Sequence, residues 1–362
     1  MIYDFAIVGA GMAGASLAAE LAPEASVLVL EMEERPGYHA TGRSAAFWEQ
    51  CYGGPGILPL TRASGPWLRT NGFLKHRGAV YLARAEDQAL IDDFVRQFEG
   101  LGAEFEMIGR EALDRLVPGL RADWDRGIYQ PGCSDIDVGG LHAHYLSQMR
   151  SGGARLVCRA ELTEATPGAS WKLTTADGGT YEAAVLVNAA GAWADDLAKL
   201  AGVAPLGIRP LRRTVAQLRT DPGPPDDLPL CLDISGRFYF KPESGKLWLS
   251  PHDETPDTPH DVVPEEIDVA TAIDRLESVV DWKVRAVEHK WAGLRSFAPD
   301  RLPVYGRDPD NAAFAWFAGQ GGYGIQTAPA AASVMADHLL DRAPSPLAAG
   351  IDRRTNAPDR LR

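Results

Sequence analysis

Apolar positions at the start of the chain fall in the order of a strand, a tight turn and a helix. Residues 4–8 (DFAIV) form a short apolar run that ends at Gly9-Ala10-Gly11-Met12-Ala13-Gly14. Residues 15–21 are rich in Ala and Leu and predict a helix closed by Pro23, and residues 27–30 predict a second strand stopping at Glu31. Helical spacing returns over 94–105, 111–116 and 141–149, with Pro118-Gly119 as punctuation. Short strands are expected at 155–159, 171–175 and 181–182, then an apolar strand at 183–188 that stops at the small-residue turn 189–193. A helix follows from about 195 to 201. Further strands are expected at 214–219, 238–241 and 247–251, interrupted by the proline-rich stretch 221–229. A last apolar strand at 313–318 (AFAWFA) leads through a glycine-rich loop into an Ala-rich helix over 325–340. The tail 352–362 (DRRTNAPDRLR) carries no apolar pattern and is expected to be an exposed end.

Composition narrows the function classes. The chain has 362 residues, 45% hydrophobic and 23% charged, which fits a globular fold of about two domains. Its 36 basic and 49 acidic residues leave a net charge of −13, so a phosphate backbone is a poor partner and nucleic acid is set aside. Cys51, Cys133, Cys158 and Cys231 are scattered, with no CxxC, and the histidines show no ligand spacing with carboxylates, so no metal site is expected. With no signal region and no long apolar run, the expectation is a cytoplasmic protein without a transmembrane segment; peripheral docking on the inner membrane face stays open.

The first motif carries specific chemistry. Gly9 permits the tight turn, Gly11 leaves room for a pyrophosphate, Gly14 lets helix and strand pack closely, and the helix N–H groups, with Met12 and Ala13 in the first turn, face the anion. Glu31 lies 22 positions after Gly9, near the offset at which an acid accepts ribose hydroxyl protons. A dinucleotide site follows, and a carboxylate there disfavours a 2′-phosphorylated cofactor. The segment 35–46 is turn-rich, then rich in small residues, and suits close passage along a flat ligand.

In chain order, GAGMAG with Glu31, TGRSAA, VLVNAAGAWAD, WAGLRSF and GQGGYGIQTAP resemble the D-amino-acid oxidase and glycine oxidase superfamily of FAD flavoproteins, nearest its bacterial D-arginine dehydrogenase-like branch. The resemblance implies an α/β fold: a discontinuous Rossmann-type FAD-binding lobe (1–75, 141–210, 292–345), a substrate lobe on a mixed, mostly antiparallel sheet (76–140, 211–291), and a tail (346–362). It implies non-covalent FAD on Gly9, Gly11, Met12, Ala13, Gly14 and Glu31, on Arg43, Ser44 and Ala45, on Ala190 and Gly191, and on Gly321, Gly322, Tyr323, Gly324 and Ile325. His39 is the one residue near the flavin that leaves a covalent link open. The N-terminus of the last helix is expected by the flavin pyrimidine. Arg295 and Tyr239 would hold a substrate carboxylate, with Arg213 and Tyr52 in the same pocket and the Gly322 carbonyl on the amine. A D-amino acid would give up hydride to flavin N5, and water would then hydrolyse the imino acid to a 2-oxo acid and ammonia. Electrons would pass to a quinone, another carrier or oxygen.

Departures from that branch bear on the side-chain pocket. Phe47 replaces a histidine, Glu49 stands where a small hydroxyl residue is expected, and His76-Arg77-Gly78-Ala79-Val80 lacks the acid that greets a guanidinium. Either Glu49 receives a basic side chain, or the pocket is apolar and lined by Phe47, Trp48, Leu230 and Leu232; Phe47 and the lost acid favour the second. Oxidation of a secondary amine or a 2-hydroxy acid, a non-catalytic FAD-binding protein, and a nicotinamide dehydrogenase are the competing readings.

Overall fold

The computed structural model describes residues 1–362. Its first sheet is built from runs that are apolar on both faces. Ile2–Val8 lies at the centre, parallel to Val27–Leu30 on one side and Thr180–Asn188 on the other. Arg155–Val157 continues the sheet beyond Val27–Leu30, and Phe314–Ala318 beyond Thr180–Asn188, both in parallel. Such continuous apolar runs require cover above and below. One face packs on the helices Met12–Leu21, Leu58–Thr70, Val138–Ser151 and Ala328–Leu339. The other face buries Ala6, Leu28, Leu186 and Trp316 against the helix Ala194–Leu200 and the hairpin of Leu162–Thr166 with Trp171–Thr175.

A second sheet of nine strands, mostly antiparallel, includes Ala79–Ala83, Leu230–Asp233, Tyr239–Glu243 and Lys246–Ser250. Its far face is covered by the helix Glu266–Val279, which buries Val269, Ala272, Leu276 and Val279. Its longest pairing joins Arg209–Asp221 to Lys283–Phe297. The sequence pattern did not identify Lys283–Phe297 as a strand, because the alternation of its first half is between exposed and half-exposed positions. The expected lobe boundary at 291/292 falls inside it. A small third sheet joins Phe47–Trp48, Leu74–His76 and Ser134–Ile136. No helix is long and apolar enough to cross a membrane.

Three expectations need correction. The helical pattern at 94–105 is a helix over Gln88–Phe98 followed by a turn, and Glu106–Gly109 is a strand. The last helix begins at Ala328, where Pro329 fits a first turn; Thr327 stands at the N-cap position without capping through its side chain, its hydroxyl donating instead to the Tyr323 carbonyl at 2.9 Å. The tail is not a free end. Two short turns, Arg353–Asn356 and Pro358–Leu361, bury Asn356 and Pro358, and Arg362 reaches the buried Asp308 carboxylate. Polar anchoring of this kind leaves no apolar period to read. Deleting 353–362 leaves that carboxylate buried without its cation, and urea unfolding should show a loss of about 3 kcal/mol.

Candidate active site

The glycine turn is set by backbone proximity. Gly9 has φ +101°, and a Cβ on it would lie 2.5 Å from the Ala189 carbonyl oxygen; a Cβ on Gly14 would lie 1.9 Å from the Gly9 carbonyl oxygen. Two strand ends and a helix start therefore meet with no space for side chains. The Thr41 hydroxyl accepts the Met12 N–H at 2.9 Å, while the N–H groups of Ala13 and Gly14 have no acceptor within the protein. Glu31 closes the next strand, its carboxylate accepting the N–H groups of Ala10 (2.8 Å) and Glu33 (3.0 Å). His142, whose pKa burial lowers, meets the Ala10 carbonyl at 2.9 Å and bolts the turn from behind.

From this turn a cavity of about 440 Å³ runs to the second sheet. Gly9, Gly11, Met12, Ala13 and Glu31 line its first part, joined by Ala190 and Gly191 from the turn after Asn188. Gly14 packs behind them. His39 also lines it, against Trp193 (ring centroids 4.7 Å) and Glu33 (2.8 Å). Arg43, Ser44 and Ala45 follow. The Arg43 guanidinium is engaged elsewhere, donating to the Val262 (3.0 Å) and Ala292 (3.2 Å) carbonyls and pairing with Asp261. That clamp brings His260 and Val262 to the cavity wall, which no local pattern announced.

Gly321, Gly322, Gly324 and Ile325 border the far end, with Gln320, which receives the Tyr305 hydroxyl at 2.8 Å. Tyr323 turns away: its hydroxyl meets the Arg301 carbonyl and its ring packs on Phe297. The first turn of the last helix is also withdrawn, since Ala328 is buried and lies outside the lining.

The second sheet supplies the charge. Leu211 lies opposite Arg295 and Arg213 opposite Gly293, so with period-two alternation both arginines project from one face of adjacent strands, diagonal to each other. Val215, two residues beyond Arg213, joins them on the wall; that spacing was a signal overlooked in the sequence. Arg295 donates to the Tyr52 hydroxyl at 2.7 Å and pairs with no acid. Arg213 is 4% exposed. Its Nε donates to the Asp253 carbonyl (2.8 Å) and Nη2 to Glu254 (3.3 Å), while Nη1 is buried without a partner. Burial, and then the neighbouring Arg295 charge, lower the Arg213 pKa. Burial pushes the Tyr52 phenol up, but the Arg295 and Arg213 charges outweigh it and hold it below the ordinary value. His252, which meets the Gly236 carbonyl at 2.6 Å, is pushed down to about 2 by burial and these cations, and is neutral. Tyr239 is buried on the same wall. Gly322 is essential in shape: a Cβ there would lie 2.7 Å from Arg295 Nη1 and 3.2 Å from the Tyr52 oxygen.

Phe47 packs on Tyr52 (4.9 Å) and Tyr239 (6.1 Å), in a cluster with Leu230 and Leu232. Trp48 does not join them. As the next residue on a strand it faces the opposite side, donating to the Thr61 carbonyl at 2.9 Å within the helical core. Glu49 is wholly buried and outside the cavity lining, accepting the Cys51 N–H (3.0 Å) and the Tyr81 hydroxyl (2.9 Å); burial pushes its pKa up to about 7.

Comparisons with known proteins give the family. The family described as FAD dependent oxidoreductase (DAO) matches residues 4–338. Glycine oxidase from Geobacillus kaustophilus (strain HTA426) is 28% identical over 360 residues, covering 94% of this chain and 93% of that protein. L-2-hydroxyglutarate dehydrogenase of Escherichia coli (strain K12) is 28% identical over 219 residues, 56% of this chain and 51% of that protein. Among solved structures, L-proline dehydrogenase from P. horikoshii superposes with TM-score 0.86 at 18% identity, covering 99% and 98% of the two chains. The cofactor is FAD, and the residues present fit it: the side-chain-free turn with unmet N–H groups suits a pyrophosphate, and Glu31 a ribose.

Two outcomes follow. Gly322→Ala should displace the Arg295 guanidinium and weaken binding of small carboxylates at least about tenfold, with flavin retained, as read from the visible spectrum. Glu49 has a folded pKa above its ordinary 4.5, so it holds its proton more tightly in the native state. Its contribution to stability is present below the ordinary value and lost, by up to about 3 kcal/mol, as pH rises through about 7. Glu49→Gln should flatten that decline in urea titrations.

Proposed function

The chain belongs to the FAD dependent oxidoreductase family, and on that premise we propose that it oxidises a small α-amino carboxylate, with a D-amino acid of apolar side chain as the leading substrate. The product is an imino acid, which water hydrolyses to a 2-oxo acid and ammonia. The observation that carries this reading is Arg295: a guanidinium inside the protein, open to the cavity and lacking an acid partner. Such a charge is costly unless an anion meets it, and the spare Nη1 of Arg213 on the same sheet face offers a second donor. FAD, when bound, supplies the two-electron acceptor. The protein's part is to orient. Arg295 and Arg213 grip the carboxylate, Tyr52 and Tyr239 border it, and the Gly322 carbonyl, which accepts no hydrogen bond within the protein, is free for the substrate amine. Electrons then leave to a quinone, another carrier or oxygen.

The side-chain preference rests on the acids nearby. Asp135 pairs with both Arg77 and Lys241, and Glu49 is engaged by Tyr81 and Cys51, which leaves neither carboxylate for a cationic side chain. This favours an apolar substrate over a D-arginine-like one. The glycine oxidase relative favours a second reading, glycine or a secondary amine, in the same clamp.

An anaerobic panel of D-Val, D-Lys, glycine, sarcosine and 2-hydroxyglutarate, followed by flavin bleaching, separates these readings. D-Val is expected to bleach fastest. Bleaching by D-Lys alone would reverse the side-chain assignment, and bleaching by no amine would end the amine reading. Arg295→Ala should lower kcat/KM about a hundredfold or more; an unchanged value removes the clamp.

A further inference from the structure

Tyr52 sits in a turn that receives support out of proportion to its length. It lies between the strand Phe47–Trp48 and the helix Leu58–Thr70, next to Gly53 and Gly54, both at positive φ, which offer little stiffness. Two buried side chains hold it. The Glu49 carboxylate turns back on its own loop, Oε1 accepting the Cys51 N–H at 3.0 Å, while the Tyr52 N–H meets the Glu49 main-chain carbonyl at 3.4 Å. Gln326, from the loop before the last helix, accepts the Glu49 N–H at 3.1 Å and donates to the Tyr52 carbonyl at 3.2 Å; its amide also reaches the Thr61 hydroxyl at 2.9 Å. Both ends of the Glu49–Tyr52 segment are thus fastened to one amide, and its interior to one carboxylate.

Neither side chain lines the cavity. We propose that Glu49 and Gln326 are positioning residues that keep the Tyr52 hydroxyl on the Arg295 guanidinium, with the ionised carboxylate of Glu49 as the pH-responsive member. The proposal rests on the anion clamp described under Proposed function. When ionised, Glu49 has only acceptors to offer the turn; a proton converts part of that capacity to a donor, and the hold on the Cys51 N–H, next to Tyr52, slackens. The groups facing Glu49 leave it without a cation. They are Tyr81 from the strand Ala79–Ala83, Cys133 from the turn before Ser134–Ile136, and Cys51 and Tyr52 from its own loop. Burial and the Glu49 charge raise the Cys51, Cys133 and Tyr81 pKa values, so these three stay neutral while Glu49 titrates. Burial places that titration near pH 7.

The test is acetate binding to the FAD-loaded protein, read by the visible flavin spectrum between about pH 6 and pH 8, where acetate itself stays ionised. Wild type should bind acetate about tenfold more tightly at the higher pH. A bare charge effect of Glu49 would run the other way, since a carboxylate repels the anion. Glu49→Gln should bind with the weaker affinity at both pH values while unfolding at higher urea than wild type at pH 8, which separates loss of positioning from loss of folding. Tyr81→Phe removes a donor that favours the ionised form, so the midpoint should move up. Gln326→Leu should weaken acetate at every pH. A wild-type transition that is absent, or that survives in Glu49→Gln, overturns the proposal. No acetate binding by wild type overturns the clamp, and this inference with it; tight, pH-independent binding overturns the inference and leaves the clamp standing.

Discussion

The pairing of Arg209–Asp221 with Lys283–Phe297 is the constraint on which the active end of the molecule depends. Its register places Arg213 and Arg295 on one face of neighbouring strands, so two guanidinium groups enter one cavity at a spacing fixed by the sheet. A slip of one residue on either strand would turn that arginine to the opposite face. The charge so placed has no acid of its own at Arg295, and the Tyr52 hydroxyl and the bare Gly322 backbone are arranged around it. The cavity continues from these two arginines to the glycine turn.

Acids around the cavity are spent on structure. Asp135 is shared by Arg77 and Lys241, Asp253 is held by the Thr214 N–H (2.7 Å) and hydroxyl (2.9 Å), and Asp261 fastens Arg43. The net charge of −13 therefore coexists with a cationic pocket, because exposed acids and a buried clamp answer to different dielectric surroundings. Glu49 differs from these acids in having no cation, which makes it costly in its ionised form and sensitive to pH near neutrality.

Legibility in the sequence followed interaction range. The turn from Gly9 to Gly14 and the acid at Glu31 were readable because steric demands on consecutive backbone units leave a local mark. Arg295 stood out for a similar reason, as a charge within an apolar run. The partner of Arg43, Asp261, is 218 residues away, and the glycine-rich context of Tyr323 says nothing of which way its ring rotates, so neither contact was legible. Trp48 failed on alternation: its neighbour Phe47 faces the clamp, so it must face the helices.

The sequence alone determined the dinucleotide turn, the order of strands feeding the first sheet, and the presence of an arginine and tyrosine set suited to a carboxylate. Each is encoded by residues within a few positions of one another, where covalent geometry limits the choices. Tertiary structure decided the rest: that Arg213 and Arg295 share a face, that Arg43 is paired with an acid while Arg295 meets only the Tyr52 hydroxyl, that Glu49 and Gln326 grip the Tyr52 turn, and that a polar tail docks on Asp308. Those outcomes depend on which distant groups meet in a region shielded from water. There the loss of hydration makes a partner decisive, and no local pattern records who that partner is.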